Sequence, residues 1–471
     1  MARIVMLGAG VVGLGTAMLL AEDGHDVTVL ERDADEPGAT PEAAWTDWDR
    51  RGVNQFRLPH MFLSRYRAIV DAELPSVAAS IEKAGGLRFN PILDIPESVR
   101  GPARAGDEDF EVLTGRRPVI EQAVSEAAAS TPRLEVRRGV TVEGLVTGAS
   151  ARAGTPHVVG VRTTSGEVRG DLVVDVMGRR STLPRLLEDV GARPPHEQLD
   201  DSGFMYFARH YRSTDGSRPF AFGPGLMHFG TISTLSLPAD NGTWSVGLIT
   251  SARDKALLGL RDADRWEQVL RALPLVAHWL DGEPIDDRVT TISKLEDRSR
   301  DYVVDDAPVA TGVVAVGDAW ACTNPSLGRG ASIGMLHGTV LREALRAPGL
   351  GDYADFAAAF HAATDDEVLP WFRWTRFEDA HRLAEVEAGI RGEPYLPGDE
   401  RYELEQALSS ASAKDPDLLR LGVRARLVIE PLDDALADRA VAERILELGS
   451  GWRDDPVPAP DREALVALAN P

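Results

Sequence analysis

Arg3-Ile4-Val5-Met6-Leu7-Gly8-Ala9-Gly10-Val11-Val12-Gly13 opens this chain and decides its fold. Arg3 to Leu7 reads as a short apolar strand that runs into a G-x-G-x-x-G turn. A helix follows with Ala17 and Leu20 on its inner face, and Gly24 stands where a helix C-cap favours positive φ. Asp26 to Leu30 reads as a second parallel strand ending in Glu31. Each position has a task in dinucleotide binding. Gly8 allows the tight turn, Gly10 lets backbone approach a pyrophosphate, and Gly13 lets helix and strand pack closely. The pyrophosphate lies over the helix N-terminus, where free N–H groups and the dipole favour negative charge. Glu31 accepts hydrogen bonds from two ribose hydroxyls and repels the 2′-phosphate of NADP. Val12 in the turn and Arg32 after the acid complete the contacts expected from this unit. A lone glycine motif would leave a coincidental turn open; strand, helix and acid at the right distance favour the binding unit.

Composition narrows the class. The 471 residues carry a net charge of −23, which argues against a nucleic-acid or anionic-membrane surface. A content of 43% hydrophobic residues suffices for a large core. No apolar run is long enough to insert into a membrane, and a signal peptide has no room ahead of Gly8. Cys322 is the only cysteine, so no intramolecular disulfide forms, and a cytoplasmic location is expected. The ten histidines show no ligand spacing, and no metal site is expected. Oligomeric state is not legible.

Along the chain the pattern predicts an α/β protein. A Rossmann-like dinucleotide-binding domain carries an inserted antiparallel-sheet substrate domain and a C-terminal helical region. The expected boundaries are 1–75, 113–190 and 296–348 for the cofactor domain, 76–112 and 191–295 for the substrate domain, and 349–471 for the helical region. Phe62 to Ala84 reads as one helix, and residues 96–109 as a mobile surface excursion. Leu134–Arg138, Val140–Thr147 and Val158–Thr164 read as a meander. Gly225–Leu235 reads as one strand, and Asp264–Leu280 as one helix.

The cofactor is named by a second motif, Gly317-Asp318-Ala319-Trp320-Ala321-Cys322-Thr323-Asn324-Pro325-Ser326-Leu327-Gly328-Arg329-Gly330, between a strand and a helix. A simple NAD site needs no such element. FAD does, because its ribityl chain and ring extend beyond the pyrophosphate. Asp318 is suited to ribityl hydroxyls. Pro325 and the N–H groups of Gly328, Gly330 and Ala331 are suited to the flavin N1/O2 edge. The alternative is a glycine-rich helix start with Asp318 as a local cap.

The two motifs in this order resemble the FAD-dependent monooxygenases of the para-hydroxybenzoate hydroxylase fold, which implies that the Rossmann-like domain is an FAD-binding domain of the GR2 type. Within that group the chain is most similar to the branch of actinobacterial polyether-type and squalene-type epoxidases. Arg50-Arg51-Gly52-Val53-Asn54-Gln55 with His60 resembles the branch's R-x-G-V-x-Q…H segment. Arg117-Pro118-Val119-Ile120-Glu121 resembles an R-x-x-L-E helix start. Asp171–Asp175 with Gly178-Arg179-Arg180-Ser181 resembles the D-L-V-V-D-x-x-G-R-x-S strand, and Asp201–Tyr206 the first strand of the substrate sheet. The resemblance spans about residues 1–345. It implies Arg50 near the pyrophosphate, Arg117 near the ribityl or phosphate region, and His60 on the flavin-facing side of the pocket as the one catalytic candidate. Solvated arginines and a structural histidine are the plain alternatives.

The resemblance also implies the reaction: insertion of one oxygen atom from O₂, by way of the flavin C4a position, into a small apolar aromatic or alkene substrate in secondary metabolism. A reductase or dehydrogenase on the same scaffold, a flavin-dependent halogenase, and a non-catalytic flavoprotein remain as alternatives. The halogenase W-x-W-x-I-P segment has no counterpart. Met177-Gly178 stands where many hydroxylases of the fold have Asp-Gly, an acid linked with NAD(P)H contacts. Electrons are therefore expected from a separate flavin reductase, with direct NAD(P)H reduction as the other route. Arg57 and Arg209 are candidates for an anionic substrate, though surface positions suit them better. Trp371, Trp374 and Phe377 are read as core of the helical region, and Cys322 as a small buried residue.

Overall fold

The near-continuous apolar runs Arg3–Leu7, Leu172–Asp175 and Val313–Ala315 suit a sheet covered on both faces, whereas Leu134–Arg138 alternates as an edge strand can. With Asp26–Glu31 they assemble into five parallel strands. The spatial order is Val313–Ala315, Leu172–Asp175, Arg3–Leu7, Asp26–Glu31 and Leu134–Arg138. This computed structural model describes residues 1–152, 154–455 and 457–470. Met6, Leu7, Val173 and Val174 are fully buried in the sheet. The helices Val11–Glu22 and Gly330–Arg346 cross against each other over it. Their approach is close because small residues meet. A Cβ at Gly334 would lie 2.6 Å from the Val12 side chain, and one at Gly338 2.4 Å from Thr16 Oγ1. The two cofactor motifs, distant in sequence, are brought together by this contact.

The second sheet is antiparallel. Its strands run Leu226–Phe229, Ile232–Pro238, Thr243–Ser251, Phe204–Arg212 and Glu283–Pro284, with Thr290–Ile292 also pairing to Phe204–Arg212. Side chains alternate across the Phe204–Arg212 strand. Met205, Phe207 and Tyr211 pack with Trp266 and Leu270 of the helix Ala263–Arg271, while Tyr206 and Ala208 face a large cavity. The last helices cover both domains. Leu369–Ile390 reaches the cofactor motif, Glu400–Ala411 and Pro416–Arg426 line the cavity, and Arg462–Ala469 joins the back of the second sheet. No helix among the described residues is long and apolar enough to cross a membrane.

Several elements differ from the sequence reading. The expected helix from Phe62 is two, Ser64–Glu73 and Pro75–Lys83, because Pro75 pushes Leu74 out of helical geometry, to φ −135°. Gly225–Leu235 is a hairpin whose turn places Gly230 at φ +56°. Asp264–Leu280 breaks after Arg271, ahead of Pro274, and resumes as a short 3₁₀ turn at Ala277–Leu280. Leu134–Arg138 leaves the meander and becomes the edge of the parallel sheet; the meander itself is Val142–Arg152, Thr155–Thr163 and Gly166–Arg169. Residues 96–109 are tied down. Arg420 chelates Asp107 with two 2.7 Å contacts, and Arg104 pairs with Asp417.

Candidate active site

The first turn has the geometry its glycines predict. Gly8 sits at φ +119°, and a Cβ there would meet the Val176 carbonyl at 2.6 Å. A Cβ at Gly13 would meet the Gly8 carbonyl at 2.4 Å, so helix and strand are as close as glycine permits. Gly10 is the opposite case: nothing of the protein lies within 4 Å of its Cβ position. That bare backbone faces a cavity of about 1130 Å³, the surface a pyrophosphate needs.

A buried ion network braces the turn. Arg50 Nη1 donates to the Ala9 carbonyl at 2.8 Å and to Glu121 at 2.6 Å, and Nη2 pairs with Glu31. Arg117, one helical turn before Glu121, donates to the other oxygen of Glu121 at 2.6 Å. Glu31 also accepts from the N–H groups of Ala9 at 2.9 Å and Asp33 at 3.0 Å. Burial alone would lower the Arg50 pKa, but Glu121 and Glu31 carry it upward. Burial would likewise raise Glu121, but Arg117 and Arg50 hold it down. Arg50 and Glu121 are thus held ionised, and the acid that ends the second strand is locked to the glycine turn.

The second motif supplies the facing wall. The helix Gly330–Arg346 begins with no side-chain cap, leaving first-turn N–H groups free beside the cavity. Gly328 reaches this start through φ +66°. Asp318 lines the cavity and makes no hydrogen bond to another described residue, and burial pushes its pKa up. A carboxyl in that state suits a hydroxyl-bearing chain. Behind it, the Gly317 N–H donates to His337 Nδ1 at 3.2 Å, and Nε2 of the same ring meets Thr364 at 3.2 Å. Burial drives the His337 pKa down to about 3, so the ring is a neutral strut for the loop.

Asn324 joins three regions. Its N–H donates to Asp297 at 2.7 Å and its side-chain amide to Asp379 at 2.9 Å, while its oxygen accepts from Tyr206. Arg329 lies over the Trp374 ring at 3.6 Å and pairs with Glu378 at 2.9 Å. The long helix Leu369–Ile390 is therefore clamped onto the second motif.

Gly8, Gly10, Val12, Gly13, Glu31, Arg32, Arg50, His60, Arg117, Asp318, Pro325, Gly328, Gly330 and Ala331 all line this one cavity. Gly317 stands behind it. His60 is held by a 3.0 Å contact between Nδ1 and the Leu58 carbonyl, and burial with Arg117 lowers its pKa to about 3. The ring is therefore neutral at neutral pH, with Nδ1 engaged by the Leu58 carbonyl. Arg209 is not at the surface: strand parity places it behind the sheet, 2.6 Å from Glu267. Arg57 is bound to the carbonyls of Trp45 and Trp48. Trp374 is both core and cavity wall. Glu121, Asn324 and Arg329 were missed as site residues; the i, i+4 spacing of Arg117 and Glu121 is the one signal that points to any of them.

Comparison with known proteins agrees with this geometry. Residues 3–52 match the FAD dependent oxidoreductase family. Protein Rv3254 of Mycobacterium tuberculosis (strain ATCC 25618 / H37Rv) is 27% identical over 391 residues, 78% of this chain and 77% of that protein. Among solved structures, the Diels-Alderase PyrE3 of pyrroindomycin biosynthesis is similar at a TM-score of 0.59 and 17% identity, over 91% of this chain and 81% of that one. The anhydrotetracycline hydroxylase OxyS of Streptomyces rimosus is similar at 0.55 and 18%, over 91% and 76%. At such identities the structural likeness shows the fold. The matched segment covers the first glycine turn and the acid that follows it, the part of the chain that this family's description fits.

Proposed function

We propose that this protein is an FAD-dependent monooxygenase that inserts one oxygen atom from O₂ into a mostly apolar aromatic or alkene substrate, in the manner of the epoxidase branch its motifs resemble, and in secondary metabolism. The observation that carries this is a single cavity. It joins the bare Gly10 backbone, the uncapped start of Gly330–Arg346, and an apolar chamber walled by Phe89, Ile95, Leu235 and Leu237. FAD, when bound, supplies the redox chemistry and the activation of O₂. The chain's own residues bind, orient and exclude water. The first turn and Arg117 hold the phosphates, Glu31 the adenosine ribose, and Asp318 the ribityl hydroxyls. The Gly328–Ala331 N–H groups stabilise negative charge at the ring edge. His60 offers a hydrogen-bond acceptor, and the C-terminal helices close the chamber from water.

The electron source in this reading is reduced flavin delivered by a separate reductase. Met177 occupies the cavity wall, and the nearest acid, Asp175, is wholly buried and bonded to Ser181 and the Met177 N–H. The test is purification with FAD, followed by O₂ consumption with a flavin reductase and a panel of aromatic and alkene compounds. Substrate-dependent uptake coupled to an oxygenated product is the expected result. FAD binding with no oxygenated product from any compound would favour a dehydrogenase.

A further inference from the structure

Beyond the flavin cradle the cavity follows one face of the helix Pro416–Arg426. Leu419, Gly422, Val423 and Arg426 recur there at helical spacing and line the wall. Three small or apolar positions thus end in one guanidinium. Other charges on this side are matched: Arg218 pairs with Asp94 at 3.0 Å, and Glu405 with Arg401 at 2.9 Å. Arg426, the last residue of that helix, is solvent-exposed on its outer side and makes no ion pair and no hydrogen bond among the described residues. A second guanidinium stands at the same end. Arg329 is 2% exposed, and its Nε and Nη2 are buried without a hydrogen-bond partner. Glu378 is the carboxylate paired with Arg329 there, at Nη1, and burial together with Asp297 raises the Asp379 pKa. Two guanidinium groups therefore stand at this end of the cavity. Arg57 and Arg209 are engaged elsewhere and offer an anion nothing.

We propose that the substrate is an amphipathic acid, its apolar body lying along Leu419 and Val423 and its carboxylate held by Arg426. This rests on the monooxygenase reading and supplies the substrate class that reading lacks. An arginine fork matches a carboxylate with two parallel charge-assisted hydrogen bonds, which a neutral amide cannot replace. A solvated arginine at a helix end would show no such discrimination.

The test uses the FAD-loaded full chain and apolar acids paired with their primary amides: 2-naphthoate with 2-naphthamide, 4-phenylbutanoate with its amide, and decanoate with decanamide. Binding is read by calorimetry and by perturbation of the flavin absorbance. At least one acid should bind roughly tenfold tighter than its amide. Arg426→Gln should abolish that preference, Arg426→Lys should keep part of it, and both should still load FAD. No acid preferred over its amide, or a preference that survives Arg426→Gln, overturns the proposal. If the chain takes up no FAD, the flavin reading fails; the calorimetric acid-to-amide ratio still decides the role of Arg426.

Discussion

Gly10 and Gly13 share a turn yet predict opposite failures. A Cβ at Gly10 meets no protein atom and projects into the cavity. Gly10→Ala should keep its unfolding midpoint and bind FAD at least roughly tenfold more weakly, as read by quenching of flavin fluorescence. A Cβ at Gly13 would clash with backbone at 2.4 Å, so Gly13→Ala should lose about 1–3 kcal/mol of stability with or without flavin. Asp318→Ala should leave stability intact and weaken FAD binding by about 1.5–3 kcal/mol, the worth of a charge-assisted hydrogen bond. An unchanged affinity would show that Asp318 does not hold the flavin. His337 makes a prediction about acid. Its folded pKa of about 3 lies below the ordinary value of 6.5, so below pH 6.5 the unfolded chain takes up a proton that the folded one refuses. Between pH 6.5 and 5 that linkage costs about 2 kcal/mol. Urea unfolding at pH 7 and pH 5 should show His337→Gln losing less stability on acidification than the parent chain; equal losses would contradict a neutral buried ring.

The decisive element is the long helix Leu369–Ile390, which the sequence marked only as an aromatic cluster in a charged region. Its Thr375, Glu378 and Asp379 hold Arg329 and Asn324 of the flavin cradle. Burial and the neighbouring Asp297 push the Asp379 pKa well above the carboxylate range. A neutral amide of the same shape should therefore serve in its place. Asp379→Asn should retain FAD and stability to within about 1 kcal/mol. Asp379→Ala removes one of the two acceptors of the buried Asn324 amide, leaving only Ser326 Oγ, and should cost about 1–3 kcal/mol, with weaker FAD binding because the loop is no longer held to the helix. Equal behaviour of the two variants in chemical denaturation and flavin titration would show that the contact positions nothing.

At the scale of the molecule, the parallel sheet and the antiparallel sheet meet at one cavity roofed by the C-terminal helices. No second G-x-G-x-x-G follows a strand after Gly13, and Glu31 is engaged at the first turn. Hydride from a nicotinamide would have to arrive at a transient site. In anaerobic stopped-flow, NADH or NADPH alone should bleach bound FAD slowly, and a generic flavin reductase with free flavin should accelerate it. Rapid bleaching by NAD(P)H alone would replace the separate reductase with direct reduction.

What the sequence determined by itself was local. Strand, glycine turn, helix and acid between Arg3 and Glu31 interact within one βαβ unit, so their spacing is written contiguously. The Asp318 motif is legible for the same reason. The breaks at Pro75 and Pro274 are also written there, in prolines that interrupt an otherwise continuous amphipathic period. The tertiary structure alone decided which side chains enter the cavity. Strand parity turned Arg209 away and Tyr206 inward, and the crossing of Val11–Glu22 with Gly330–Arg346 brought the two motifs together. The helices after Leu369 delivered Trp374, Asp379 and Arg426 to a site from which they are remote in sequence. Such placements follow from packing between distant elements, and no periodicity within either partner encodes them.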